Sequence, residues 1–257
     1  MIEEDLQTII EAKHSLLNRR RKKTPMPAIT ALADMQKRPH PILNEVTDQG
    51  TLLIGHIRLQ ETYDPVAAAL RFVRTGLDAV ALFTDNTIYS KGMEDLLMVA
   101  RGVPDTPVIS QNYILNAYHV LEARASGASG LILYSALLDP ATLREVASLS
   151  TRLKMSAILQ VNSRETVELA HLLSPHAVSI GFDANFDQER DLPLLKSLRP
   201  YLPYNMRVMP HGVVTAIDDL RKLLSMGMDA IALGESLVAT PQARQQLAAV
   251  VDRALTV

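Results

Sequence analysis

The chain has 257 residues, of which 47% are hydrophobic and 21% are charged, and it contains no cysteine. This composition is typical of a globular protein with a sizeable core. We expect no disulfide and no thiol nucleophile, and no membrane span, because no apolar stretch approaches the roughly 18 residues that a transmembrane helix needs. The formal net charge of -2 also gives no electrostatic argument for nucleic-acid binding.

The N-terminal segment precedes the first predicted strand and predicts one helix over about 4–21. It opens acidic, and its basic run at 19–23 (RRRKK) follows the apolar positions, which is the reverse of a secretory signal. We therefore expect a cytoplasmic protein. The basic run is interpreted as a solvated helix end, where positive charge suits the helix dipole.

A short apolar run followed by a longer stretch of helical periodicity recurs eight times along the chain. The predicted strands are 52–59, 79–85, 107–113, 130–136, 156–162, 177–183, 207–213 and 230–236. Helix candidates between them begin near Asp, Ser or Thr and often end near Gly. Eight such units without a linker favour a single (β/α)8 TIM barrel over a doubly wound sheet, with 1–257 as one α/β domain and 1–48 as an N-terminal helical extension.

Functional residues of such barrels lie at the C-terminal ends of the strands. Polar residues at the predicted ends are His56, Arg58, Asp85, Gln111, Asn112, Gln160, Asn162, Asp183, His211 and the Gly-Glu-Ser of 234–236. On the first strand, His56 and Arg58 share a face because they are two residues apart, whereas Gly55, Ile57 and Leu59 face the helices. The pair either shares a ligand or is solvated at the rim.

A phosphate site is predicted at the last two strand ends, because barrels commonly bind phosphate between the loops that follow strands seven and eight. Gly234, Glu235 and Ser236 precede a short helical turn whose backbone N–H groups can hold a phosphate. His211 and Gly212 form the neighbouring turn. The alternative is that both glycines only serve tight turns and that His211 is a solvated loop residue.

Acid–base groups are few among the strand ends. Gln111 and Gln160 carry amides, which do not titrate, so Asp183 and His56 are the obvious acid–base candidates. The remaining histidines are expected to be structural; they are His14, His40, His119, His171 and His176. No metal-ligand spacing and no nucleotide-binding motif is found, so no metal and no cofactor is expected.

Four segments resemble the indole-3-glycerol-phosphate synthase family: LQTIIEAKHSLLNRR (6–20), ALFTDNTIYSKGMEDL (81–96), PVISQNYILNAYHVLEARASGASGLIL (107–133) and DAIALGESLV (229–238). The resemblance covers nearly the whole chain. It implies a TIM barrel of tryptophan biosynthesis, a lyase that closes the ring of carboxyphenylamino-deoxyribulose phosphate with loss of carbon dioxide and water.

The resemblance also shows departures at the family's catalytic positions. The first-strand motif alanine-glutamate-isoleucine-lysine matches Gly55, His56, Ile57 and Arg58 here, and the loop after it is shorter by roughly nine residues, which removes most of a closing lid. The third-strand lysine, the family's proposed general acid, matches Gln111. On later strands, a glutamate matches Gln160, asparagine-asparagine-arginine matches 183–185 (DAN), and glutamate-serine-glycine matches 210–212 (PHG).

Three hypotheses follow. The first is a barrel with a degenerate catalytic site that binds a phosphorylated small molecule with little or no ring closure. The second is a lyase or isomerase with altered chemistry on a phosphorylated ligand, using His56, Arg58, Asp183 and His211. The third is a genuine synthase with a rebuilt site. The sequence identifies no protein partner.

Overall fold

Eight parallel strands surround a shared interior, and a helix follows each of them. The computed structural model describes residues 3–42, 50–58 and 64–251. The strands are β1 Leu52–Ile57, β2 Ala79–Phe83, β3 Val108–Gln111, β4 Gly130–Tyr134, β5 Ser156–Val161, β6 Ala177–Ile180, β7 Arg207–Pro210 and β8 Ala230–Leu233. They pair in parallel in the order β7-β6-β5-β4-β3-β2-β1-β8.

Strands β7 and β8 stand at the two ends of this strand order, and hydrogen bonds next to them join the two strands. The Asp229 N–H donates to the carbonyl oxygen of Val208 at 2.9 Å, and the Val208 N–H donates to the Asp229 carboxylate at 2.8 Å. Val214 and Leu233 form a further parallel bridge. The predicted (β/α)8 barrel is thus confirmed.

All eight strands lie where the sequence predicts them, but each ends one to three residues earlier than expected. The predicted segments included the polar residues that follow each strand. These residues leave the ladder and enter the loops, because their side chains do not fit the continuous apolar packing of a strand buried on both faces.

The helices are α1 Glu3–Lys23, α2 Met26–Asp34, α3 Pro65–Thr75, α4 Gly92–Gly102, α5 Ala117–Ala125, α6 Pro140–Arg152, α7 Arg164–Leu173, α8 Gln188–Leu198, α9 Ile217–Ser225 and α10 Pro241–Val250. Side-chain caps begin several of them. Asp64 accepts hydrogen bonds from the first turn of α3, Asp139 does so in α6, and Ser163 forms a capping box in α7. The residue types predicted to begin these helices therefore do so by accepting hydrogen bonds from first-turn N–H groups that have no partner within the helix.

Two apolar cores flank the strands. The interior core consists of Ile42, Ile54, Ala79, Ala81, Ile109, Ile132, Ile158, Ala177, Met209 and Ala230. The larger core lies between strands and helices, where Phe72 of α3 packs over β1. A Cβ atom on Gly55 would lie only 2.2 Å from Cγ of Phe72, so glycine is needed for this close approach.

The N-terminal extension contains two helices, of which the sequence predicted only α1. Helix α2 has a proline within its first turn, where the missing N–H costs nothing. Leu17, Ile29 and Ala33 of the extension pack against Tyr118 and Leu121 of α5. Beyond α2, Ile42 enters the barrel interior from its base.

The basic run at the end of α1 is less solvated than expected. Arg20 forms an ion pair with Glu122 of α5 at 3.0 Å, and the Arg21 guanidinium lies 5.6 Å from the centre of the Tyr118 ring. Part of the run therefore packs the extension onto α5. None of the described helices combines the length and the apolar character needed to cross a membrane.

Candidate active site

A cavity of about 520 Å³ opens at the C-terminal end of the barrel, beside β1, β7 and β8. Its lining residues are His56, Arg58, Asn185, Val213, Thr215, Gly234, Glu235 and Ser236. We call it the mouth cavity. The lining offers a guanidinium, an imidazole, an amide, a carboxylate and two hydroxyl groups, a set suited to a polar ligand.

The first strand presents its residues as the alternation predicts. Ile54 lies in the interior core, and His56 and Arg58 continue that face into the mouth cavity. Gly55 and Ile57 face the helices. Leu59 and the shortened loop at 59–63 lie outside the described residues.

His56 is bonded to the end of β3. Its Nε2 lies 2.5 Å from the amide oxygen of Gln111. Because that oxygen can only accept, Nε2 carries the hydrogen and Nδ1 keeps a lone pair. Nδ1 is buried and has no hydrogen-bond partner among the described residues. Burial lowers the pKa of His56, and the charge of Arg58 adds to this effect, so the ring is neutral near pH 7.

Arg58 and Asp183 have different side-chain partners in the segment that follows β6. The Arg58 guanidinium is exposed and donates to the side-chain oxygen of Asn185. Asp183 lies outside the lining of the mouth cavity. Its side chain is 51% exposed and pairs with Arg190, which also holds Asp191 at 2.8 Å. The structure therefore does not bring Asp183 together with His56 in that cavity.

Gln160 is buried, and its amide nitrogen donates to the carbonyl oxygen of Gly181 at 2.5 Å. This bond fixes the chain where β6 ends. Its amide group thus has a structural partner and does not line the mouth cavity.

His211 follows β7 and is buried beneath the mouth. Its Nδ1 lies 3.1 Å from the hydroxyl of Ser179, and the ring meets Tyr134 edge-on at 5.6 Å. Burial lowers the pKa of His211 to about 4. The side chain is 5% exposed, which contradicts the alternative of a solvated loop histidine.

Both glycines pack closely against neighbouring atoms, Gly212 against backbone and Gly234 against side chains. Gly212 has φ of 128°, and an added Cβ would lie 2.6 Å from the Phe186 nitrogen. At Gly234, an added Cβ would lie 2.8 Å from the methyl group of Thr215. A single 3₁₀ turn, Glu235–Leu237, follows Gly234. Both glycines have a packing reason, whatever ligand the neighbouring turns hold.

Side chains around the last turn are partly engaged. Glu235 pairs with Arg71 of α3 at 3.2 Å, and the Ser236 hydroxyl donates to the carbonyl oxygen of Thr215 at 3.2 Å. Both residues still line the mouth cavity.

Sequence reasoning missed a row of aromatic rings across the mouth. Phe83, Tyr113, Tyr134 and His211 meet edge-to-face at centroid distances of 5.8, 5.2 and 5.6 Å. Burial raises the pKa of Tyr134, so its hydroxyl stays protonated. All four rings lie within two residues of a predicted strand end, and this recurrence was the available signal.

Lys13 of α1 was also missed. Its ammonium lies 2.5 Å from the carboxylate of Asp85, and the exposed fractions of the two side chains are 4% and 0%. It also donates to the Asn112 side chain at 2.8 Å. A lysine within the apolar stripe of α1, four residues before Leu17, was the signal for a buried partner.

Two of the other histidines have their expected structural roles. His119 accepts a hydrogen bond from the Leu115 N–H, and burial lowers its pKa to about 3. His176 accepts from the Ala157 N–H at 3.2 Å. In both rings the accepting nitrogen must be unprotonated.

Eight parallel strands with outer helices and a polar cavity at their C-terminal ends define the (β/α)8-barrel class, whose active sites occupy that face. A sequence profile described as indole-3-glycerol phosphate synthase matches residues 6–250. The chain belongs to the indole-3-glycerol phosphate synthase family.

Individual relatives agree with this assignment. An indole-3-glycerol phosphate synthase of Roseiflexus sp. is 31% identical over 251 residues, covering 90% of this chain and 88% of the relative. One from Dehalococcoides mccartyi strain CBDB1 is 27% identical, covering 91% and 95%.

Solved structures share the fold at lower identity. Thiamine phosphate pyrophosphorylase from Pyrococcus furiosus superposes with a TM-score of 0.59 and 17% identity, covering 79% of this chain and 96% of that one. Tryptophan synthase subunit alpha from Legionella pneumophila superposes with a TM-score of 0.53 and 15% identity, covering 78% and 90%.

Proposed function

We propose that this family member binds a phosphorylated small molecule in its mouth cavity and performs the family's ring closure slowly or not at all. One observation carries the proposal. The side chain at the end of β3, where the family has its acid lysine, is Gln111, and its amide accepts a hydrogen bond from His56. An amide has no proton to transfer at neutral pH, and a general acid is typically worth ~100 to 10,000-fold in rate.

No lysine is among the described lining residues of the mouth cavity. Lys13 reaches the C-terminal end of the barrel from α1, and it is committed to Asp85 and Asn112. Tyr134 has a hydroxyl, but its raised pKa makes it a poorer acid than a free tyrosine. The proposal of weak ring closure rests on this combination.

Phosphate binding is supported by different groups. Arg58 reaches the mouth cavity from β1, and the Glu235–Leu237 turn with Ser236 borders the same space. An arginine facing a turn that offers backbone N–H groups is a common setting for phosphate. We assign the ligand's phosphate to the part of the cavity beside Gly234 and its remaining atoms to the space beside His56.

A second candidate is a lyase or isomerase with altered chemistry. The observation that favours it is Nδ1 of His56, which is buried without a partner on the wall of the mouth cavity. A neutral imidazole with a free lone pair can take a proton from a bound ligand. A phosphorylated ligand with an acidic C–H bond would be its substrate class, and the proton transfer requires a rotation of the imidazole that exposes Nδ1 to the cavity.

The first experiment offers carboxyphenylamino-deoxyribulose phosphate to the purified protein and follows indole fluorescence, which is not masked because the chain contains no tryptophan. Binding of indoleglycerol phosphate is measured in parallel by calorimetry. Arg58→Ala is compared with Arg74→Ala, which removes an exposed arginine from the last turn of α3.

We expect no measurable turnover and saturable binding that weakens about tenfold or more in Arg58→Ala, as for a charge-assisted contact to phosphate. Binding should be unchanged in Arg74→Ala. Turnover that disappears with Arg58 would instead make the protein a working synthase with a rebuilt site. Absence of both turnover and binding would contradict the proposal.

A further inference from the structure

A second cavity, of about 270 Å³, lies at the opposite end of the barrel from the mouth. It borders Val108, the first residue of β3, and Ser129, which immediately precedes β4. Its other walls are the segment 36–40 that follows α2 and the C-terminal ends of α4 and α5. We call it the basal cavity.

The charged residues that line the basal cavity are all positive. Lys37, Arg38, Arg101 and Arg124 contribute to its walls, and no aspartate or glutamate is among its described lining residues. Lys37, Arg38 and Arg101 are exposed at the rim. Low-dielectric walls focus the field of such a cluster and raise the local concentration of anions.

Arg124 forms the buried part of this cluster, with only 4% of the residue exposed. Its guanidinium donates to the carbonyl oxygens of Gln36 at 3.2 Å and Ala128 at 3.4 Å, and also to that of Lys37. In the described part of the chain, no carboxylate lies within 4.0 Å of it. Burial lowers the pKa of Arg124, which reflects the cost of this uncompensated charge.

Hydrogen bonds hold the walls in place. Nε2 of His40 lies 3.0 Å from the carbonyl oxygen of Pro104, and the Gln36 amide donates to the carbonyl oxygen of Ala125 at 2.8 Å. Ile42, two residues beyond His40, is anchored in the barrel interior. The basal cavity is therefore formed without a ligand, and binding requires little rearrangement.

We propose that the basal cavity is a second ligand site, separate from the mouth, which binds a small oxyanion carrying a phosphate or carboxylate group. Such an anion supplies the counter-charge that Arg124 lacks, and the planar guanidinium fork matches both kinds of group. Lys37, Arg38 and Arg101 at the rim then neutralise the remaining negative charge of the anion. The volume fits a small metabolite and falls below the ~300 Å³ at which drug-sized pockets begin.

The test titrates inorganic phosphate, and separately succinate, into the full chain by calorimetry at constant low ionic strength set with chloride. Arg58→Gln removes the arginine from the mouth cavity, so that the phosphate binding that remains is assigned to the basal cavity. In that background, the rim variant Lys37→Gln, Arg38→Gln, Arg101→Gln is compared with Arg144→Gln, Arg152→Gln, Lys196→Gln. The control removes the same charge from exposed positions of α6 and α8.

We expect saturable binding in the Arg58→Gln background, weakened about tenfold or more by the rim variant, since each exposed charge contributes up to ~1 kcal/mol. The control should bind within about twofold of its parent. Binding of phosphate alone identifies phosphorylated ligands, and binding of succinate alone identifies carboxylated ones. Equal weakening in both triple variants, or loss of all binding with Arg58→Gln, would overturn the proposal and leave the mouth proposal untouched.

Discussion

The ammonium of Lys13 lies 2.5 Å from the carboxylate of Asp85, and the two residues are 72 positions apart in the chain. Lys13 belongs to the N-terminal extension, and Asp85 follows β2 at the mouth of the barrel. Asp85 also accepts from the N–H groups of Thr87 and Tyr113. One buried ion pair therefore joins the extension to the loops around the candidate site.

Removing Lys13 should strongly destabilise the fold. Burial alone would raise the pKa of Asp85, but Lys13 and Thr87 lower it overall, so the carboxylate stays charged at neutral pH. Lys13→Met leaves that charge buried without its cation, which typically costs about 3–5 kcal/mol. We expect this loss in the free energy of unfolding by urea denaturation, whereas Lys22→Met, on the exposed side of α1, should change it by less than about 0.5 kcal/mol. A loss below about 1 kcal/mol for Lys13→Met would show that the ion pair contributes little to the stability of the fold.

The hydrogen bond between His56 and Gln111 predicts a coupled pair. Gln111→Lys alone should destabilise the protein, because it places a second cation beside Arg58 next to a buried imidazole. His56→Glu together with Gln111→Lys should recover most of that stability, since a carboxylate replaces the imidazole as partner. A double-mutant cycle on urea denaturation measures the coupling.

The same double variant tests why ring closure is weak. It restores the family's glutamate at position 56 and the family's lysine at position 111, and a restored acid predicts a ring-closure rate at least ~100-fold above that of the unaltered protein. Gln111→Met removes the hydrogen bond without adding an acid and should show no gain. A folded double variant with no gain would indicate that the missing acid is not the only limit on the reaction, and that the short loop after β1 or the other replaced positions, such as Gln160, also limit it.

Gly55 should not tolerate even the smallest side chain. The family has alanine at this position by resemblance, but here a Cβ would lie 2.2 Å from the Phe72 ring. Gly55→Ala should cost about 1–3 kcal/mol through overpacking. Adding Phe72→Leu should make the alanine less costly than it is alone, and Phe72→Leu by itself measures the ring's own contribution. Simple additivity of the two changes in thermal denaturation would contradict steric contact as the cause.

Acid should destabilise the protein through its buried histidines. His211 binds a proton with a pKa of about 4 when folded and about 6.5 when unfolded. The unfolded state therefore binds more protons, so the contribution is fully present above pH 6.5 and is lost as the pH falls towards 4. His211 alone should lower the free energy of unfolding by about 2 kcal/mol between pH 7.5 and pH 5.

His211→Asn removes this titration and should flatten the stability profile over that range by the same amount. His14→Asn, at an exposed position of α1, is the matched control and should leave the slope as it is. An unchanged slope in His211→Asn would mean that other groups carry the acid sensitivity. His119, with a pKa of about 3, is then the next histidine to replace.

The sequence by itself determined the architecture. Apolar runs alternating with helical periodicity identified eight strands in the right places, because a parallel barrel buries each strand on both faces and covers it with an amphipathic helix. The predicted helix starts are also confirmed, since Asp64, Asp139 and Ser163 cap helices. The predicted alternation along β1 is confirmed as well, since Gly55 faces the helices and His56 faces the mouth cavity.

Only the tertiary structure decided how the polar residues pair. Gln111 lies 55 positions from His56, and neither residue's periodicity reveals that their side chains meet. Asp183 was expected to face the mouth, but Arg190 of α8 holds it elsewhere. The alternation along a strand determines which face of the strand a residue occupies. Which partner its side chain binds depends instead on the length of that side chain and on charged residues that other elements bring close to it. The contact of Lys13 with Asp85 is therefore invisible until the extension has folded onto the barrel.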